Sequence, residues 1–246
     1  MKSNIDKLRA LLLIGIATAG SAVAGTMLWF WYPAPLFDAA GTGKLPAALA
    51  GVAFAGAALA VLLPRWRGKP LGGSAQRASM VALVAVFTGC ALALYVQRPV
   101  YLVYTGDRFD LVLARDLARQ DLAKARAEFS SRPLGGPKYV AALQPADSAE
   151  LQRIADRALE GGKDLQAYPQ YYVAYAGEAK NALKRAQPLS KLWGRDDETL
   201  RRALEAAGRT PEDVRFLPLR ARKRDGIVLL DAATGLPVVE LLIDPW

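Results

Sequence analysis

Few residues in this chain have the types and spacing that chemistry requires. There is no histidine, which excludes imidazole triads, histidine metal sites and imidazole proton shuttles. The one cysteine, Cys90, lies inside an apolar run, where it has no internal disulfide partner and no water to support a thiolate. Acidic residues are numerous but scattered over segments of helical pattern, where a solvated face accounts for them. Gly135-Gly136-Pro137 and Gly161-Gly162 lack the strand-to-helix context of a phosphate loop and read as turns. One group remains. Tyr168, Tyr171, Tyr172 and Tyr175 have helical spacing; they would either stack on a ligand or be buried in a core or protein contact, the commoner fate of tyrosine. No catalytic residue, metal or cofactor is expected, and the chain reads as a non-enzyme.

The elements that must carry these residues fall into two unlike parts. Over 246 residues the mean hydropathy is +0.12 although 22 % of residues are charged, so apolar and charged residues must be segregated. Residues 11–32, 45–63 and 78–96 contain no Asp, Glu, Lys or Arg, and each run is about as long as a helix crossing a hydrocarbon layer of ~30 Å. The expectation is three N-terminal transmembrane helices in a membrane domain of residues 1–97, followed by an α+β domain of residues 98–246. Lys2, Lys7 and Arg9 followed by Ala22-Val23-Ala24 also resemble a cleavable signal peptide. The run continues through Met27, Leu28, Trp29 and Phe30, which favours a retained anchor.

Basic residues set the orientation. Lys2, Lys7 and Arg9 mark the tail, and Arg65, Arg67, Lys69 and Arg77 mark the loop before the third run without any acid. Both belong on the cytoplasmic side, which sends everything after Arg98 outside. Much of the formal charge of +9 is thus explained by topology, and no nucleic-acid partner is expected.

The membrane part has two further features. In LWFWYPAPLF, residues 28–37, Trp29, Trp31 and Tyr32 stand where the first run would leave the bilayer and read as an interfacial anchor, with Pro33 and Pro35 stopping the helix. Small residues recur at spacing four: Ala17, Ser21 and Gly25; Gly51 and Ala55, then Gly56 and Ala60; Ala85, Gly89 and Ala93. Such faces let helix backbones approach closely. They serve packing of the spans on each other or a groove for a partner's helix.

In the outer part, residues 100–104 and 109–113 are β-rich runs joined by Thr105-Gly106-Asp107-Arg108, a hairpin connection. Leu217, Leu219 and Ala221 alternate with polar residues or proline, Asp225-Gly226 signals a turn before residues 227–230, and a last strand is expected at 238–243. The middle reads as helical. Asp147 caps a helix over 147–160 ended by Gly161, and residues 197–207 repeat the pattern before Gly208. Strands from the two ends are expected to pair in a small antiparallel sheet, accompanied by several helices.

Taken in order, Trp31-Tyr32-Pro33, Pro35-Leu36-Phe37, Arg98-Pro99-Val100, Gly136-Pro137 before a helical segment, Gln187-Pro188-Leu189, Leu217-Pro218-Leu219 and the final Asp244-Pro245-Trp246 resemble the type IV pilin accessory proteins of the TfpX/TfpZ family across essentially the whole chain. The sequence departs from that family's pattern after Gly51-Val52, where Ala53-Phe54-Ala55-Gly56 replaces an acidic residue and a Leu-Gly-Pro. The resemblance implies a multi-pass protein of the bacterial inner membrane, with its N-terminus in the cytoplasm and its C-terminal domain in the periplasm. It further implies a chaperone or modulator of type IV pilin assembly whose partners are a pilin subunit, other pilus assembly proteins and lipid. A membrane-tethered periplasmic sensor or ligand-binding module using the four tyrosines is the alternative.

Overall fold

The computed structural model describes residues 2–32, 36 and 73–246. The chain divides into two compact units, one formed by Met1–Phe30 with Thr42–Val96 and the other by Trp31–Gly41 with Gln97–Trp246.

The helical unit contains α1 (Lys2–Trp31) and α2 (Gly73–Gln97). Both lack the one-sided apolar stripe of a helix lying on a core, because apolar residues occur all round them. They pack on each other at Gly20, where a Cβ would stand 2.7 Å from the Phe87 ring. The expectation of three transmembrane helices is corrected. Among the described residues one helix, through Met80–Gln97, is long and apolar enough to cross a membrane. The run at 45–63 lies outside the described residues. The first run belongs to a helix that begins at Lys2 and takes in Asp6, Lys7 and Arg9.

The small antiparallel sheet is corrected too. The second unit holds a mixed, eight-stranded sheet in the order β4-β3-β1-β2-β6-β7-β8, with β5 also paired to β6. Its strands are β1 (Pro99–Tyr104), β2 (Phe109–Leu113), β3 (Lys138–Ala142), β4 (Tyr172–Ala174), β5 (Gln187–Pro188), β6 (Val214–Arg220), β7 (Gly226–Asp231) and β8 (Pro237–Leu241). The β1–β2 hairpin closes through Thr105 N–H on Arg108 O at 3.0 Å, with Gly106 at φ 110°. As expected, the two ends of the domain meet, but they do so in parallel, Phe109 opposite Leu219 and Asp110 opposite Arg220. β1 and β3 are parallel as well. Gly136-Pro137 leads into strand β3, not into a helix. These strands escape a pattern search because parallel partners share no local turn and several are too short for alternation to register.

Three longer helices cover the sheet: α3 (Ser148–Leu159), α4 (Tyr175–Arg185) and α5 (Asp197–Ala207). Asp147 caps α3 by accepting from Ala149 N, and Asp196 caps α5 by accepting from Thr199 N. Gly208, at φ 62°, ends α5 in the left-handed conformation that glycine adopts most cheaply. On one face, Tyr101, Val103, Val112 and Val140 pack with Ile154 of α3, while Phe216, Ile227 and Leu229 form a separate core with Leu200 and Leu204 of α5. α4 packs on β3, β4 and β6. The sheet curls, since Tyr139 of β3 donates a hydrogen bond to Glu240 of β8 across four intervening strands.

Candidate functional site

The four tyrosines, expected either to stack on a ligand or to be buried, do not share one surface. Tyr172 stacks edge-on against Tyr101 at 5.2 Å and Phe129 at 5.9 Å. Tyr175 meets Phe109 at 5.3 Å and Tyr104 at 6.1 Å, and donates to Gly235 O at 2.8 Å. Tyr101 and Tyr104 are three apart on β1 and so point to opposite faces of the sheet. Tyr172 and Tyr175 therefore belong to different layers of the interior. Tyr168 is buried beside Tyr171, which is half-buried. Burial pushes the Tyr101 hydroxyl up to about 12 and raises those of Tyr172 and Tyr175 as well. They remain protonated, and Tyr172 and Tyr175 donate to Gln166 O and Gly235 O.

The aromatic anchor divides as well. Trp29 is 89 % exposed, whereas Trp31 and Tyr32 have protein partners. The Trp31 indole donates to Leu134 O at 2.6 Å, and the Arg98 guanidinium stands 5.5 Å over its ring. Arg98 is fully buried and donates to Pro133 O at 3.1 Å. A buried guanidinium needs such acceptors to offset its lost hydration. Arg98 was visible in the sequence as the first charge after an apolar run, but nothing local marked it as interior.

Of the small residues, Ala17 and Ser21 lie on α1, while Gly51 and Gly56 lie outside the described residues. Gly25 of α1 and Ala85 and Gly89 of α2 are exposed, with Ala93 partly buried. A Cβ at Gly25 or Gly89 would meet nothing within 4 Å among the described residues. The glycine that packs the two helices is Gly20, which stands outside the spacing-four pattern. The two open glycines lie on faces that are uncovered within the described chain.

A cleft of about 620 Å³ lies on the sheet unit, where β2 meets β6. No sequence motif announced it, because its walls come from β2, the turn after it, the loop after α3 and the end of β6. Asp110 is buried in its floor, holding a hydrogen bond from Thr105 Oγ1 at 2.9 Å and an ion pair with Arg108 at 3.3 Å. Burial raises its carboxyl above the usual value, against the pull of the Arg108 and Arg220 charges and of the Thr105 hydrogen bond. Arg222 pairs with Asp116 at 2.7 Å, and Lys163 with Asp121 at 2.8 Å. A shallower apolar groove of about 430 Å³ runs beside α5 between Trp193, Leu200, Leu204 and Pro211. Its rim charges are matched, Arg201 with Glu198 and Glu205, and Arg209 with Asp231.

Over most of its length the chain is similar to proteins of fimbrial assembly. One is the fimbrial assembly protein of serogroup I from Dichelobacter nodosus, 28 % identical over 222 residues that cover 87 % of this chain and 86 % of the relative. Another is the serogroup E1 fimbrial assembly protein of the same organism, 28 % identical over 218 residues, 85 % of this chain and 84 % of that one. No family model matches the chain, and no solved structure matches it. The resemblance drawn from the motifs thus holds at the level of fimbrial assembly; neither relative bears the TfpX/TfpZ name.

Proposed function

We propose that this chain acts in assembly of type IV fimbriae as a non-enzymatic accessory protein, tethered to the inner membrane by α2, which makes chaperone-like contact with a pilin subunit. The observation that carries this reading is the similarity to fimbrial assembly proteins over 87 % of the chain. Two physical features support its details. α2 leaves Val81, Val84, Leu92 and Val96 exposed, and so much apolar side chain on one helix calls for lipid or a partner helix around it. Arg65, Arg67, Lys69 and Arg77 precede its apolar stretch without an acid, which favours a cytoplasmic start and a periplasmic sheet unit. The rival reading, a ligand-sensing module built on the tyrosines, loses its basis when Tyr172 and Tyr175 belong to different layers of the interior.

The test uses Gly89, whose open surroundings let Leu enter without disturbing the described helices. Photo-crosslinkers along α2 are expected to capture a pilin in piliated cells. Gly89→Leu should still insert, since Leu is at least as lipid-soluble, yet lose the crosslink and surface fimbriae together. A reporter active only in the periplasm should work when fused after Trp246. Normal piliation in a strain lacking this chain, with no pilin crosslink at any position, would overturn the proposal.

A further inference from the structure

We infer that the cleft at the β2–β6 junction is a binding site for a carboxylate-bearing peptide segment. It has the size of a ligand site, about 620 Å³, within the usual range of roughly 300–1,000 Å³. Its position follows from the fold. β2 and β6 share only two register pairs, and the layers over the two halves of the sheet form separate cores. Leu111, Val112, Ala167 and Ala221 line part of the wall, giving an aliphatic stem or backbone a surface to lie on.

The charges select the ligand. Of the four bases lining the cleft, Arg222 and Lys163 already have carboxylate partners. Arg115 and Arg220 are exposed and have no ion-pair partner among the described residues. Guanidinium groups hold a carboxylate through paired N–H donors. On the same lining, Gln166 carries a buried amide oxygen with no donor, a costly state that a peptide N–H would relieve. Asp110, Asp116 and Asp164 also line the cleft. Three carboxylates oppose a compact dianion such as phosphate more strongly than a single negative charge on a polar chain. A segment bringing one carboxylate and one N–H donor satisfies both sets of groups. The inference rests on these side chains alone and not on the fimbrial reading.

The experiment uses the full chain in detergent micelles and a fluorescent, end-blocked peptide with a single carboxylate, acetyl-Ala-Ala-Glu-Ala-Ala-amide, with its Gln-for-Glu counterpart as control. Saturable binding of the acidic peptide, weakening as salt is added, is expected by anisotropy, with at least tenfold weaker binding of the Gln peptide. Arg115→Ala with Arg220→Ala should weaken binding at least tenfold, and Gln166→Ala severalfold. Lys124→Ala, an exposed base outside the cleft, should leave it unchanged. Both arginines are exposed, so the double variant should keep its melting temperature, which separates lost binding from lost folding. Equal binding of the two peptides, full binding by the double variant, or displacement of the peptide by an equal concentration of inorganic phosphate would each overturn the assignment.

Discussion

Helix α2 and strand β1 are adjacent in the chain and similarly apolar, yet they end in opposite surroundings. Val81 of α2 is 69 % exposed and Leu92 60 %, whereas Val100 and Val103 of β1 are wholly buried. Strand β1 is covered because its neighbours bring their own apolar faces to it: β2 and β3 in the sheet, the aromatic layers on either side. α2 has Phe87 against Gly20, and elsewhere its described side chains are largely open. The sheet unit thus has a buried interior of its own, and the surface of α2 calls for cover from outside the described residues.

The sharpest break of that contrast is truncation from Leu236 onward. It removes β8, takes Leu241 and Ile243 from the aliphatic core and leaves Tyr139 without its carboxylate partner. Loss of cooperative unfolding in the sheet unit is expected by calorimetry, and an unchanged melting transition would refute the closure of the curled sheet. Next in size is a matched pair of leucines. Leu229→Ala should cost about 2–5 kcal/mol because the residue is fully buried. Leu92→Ala, on the open face of α2, should change the stability of the sheet unit by less than about 0.5 kcal/mol in urea titration. Comparable losses would show that α2 is covered by the chain itself.

Gly20 sharpens the comparison within the helices. Gly20→Leu drives a side chain into Phe87, so a spin-label distance between α1 and α2 should lengthen, while Gly25→Leu should leave it unchanged. The smallest effect concerns pH. Burial raises the Asp110 carboxyl above its ordinary 3.8, so just above that value the folded chain retains a proton that the unfolded chain has released. Stability from this group should fall as pH rises through that window and level off above the folded value. Asp110→Asn should flatten that slope in urea midpoints measured across the acidic range. An unchanged slope would mean that the Arg108 and Arg220 charges balance burial, and a change of the opposite sign that they outweigh it.

How much was legible depends on whether the signal was local. The β1–β2 hairpin, the Asp147 cap of α3 and the Gly208 stop of α5 were readable because turn and cap chemistry lies within a few residues, although α5 is capped by Asp196, one residue before the pattern read at 197–207. β3 and β4 were not. Lys138–Ala142 and Tyr172–Ala174 are short, and their partners are far away in sequence. The spacing of the four tyrosines left a ligand surface and burial both open. A turn of chain at residues 169–171 followed by a strand distributes them over two layers, and periodicity alone carries no trace of that.

From the amino-acid order alone came the segregation of apolar from charged residues, the exclusion of imidazole chemistry and a likeness to fimbrial accessory proteins. These depend on composition and short motifs, which survive without knowledge of contacts. Only the tertiary structure decided that the sheet is mixed and curled, that Arg98 lies inside, that Gly20 is the packing glycine, and that Arg115, Arg220 and Gln166 share a cleft. Each of these depends on residues far apart in sequence meeting across strands or helices. The free energy of burying them is set by that meeting and not by any one segment.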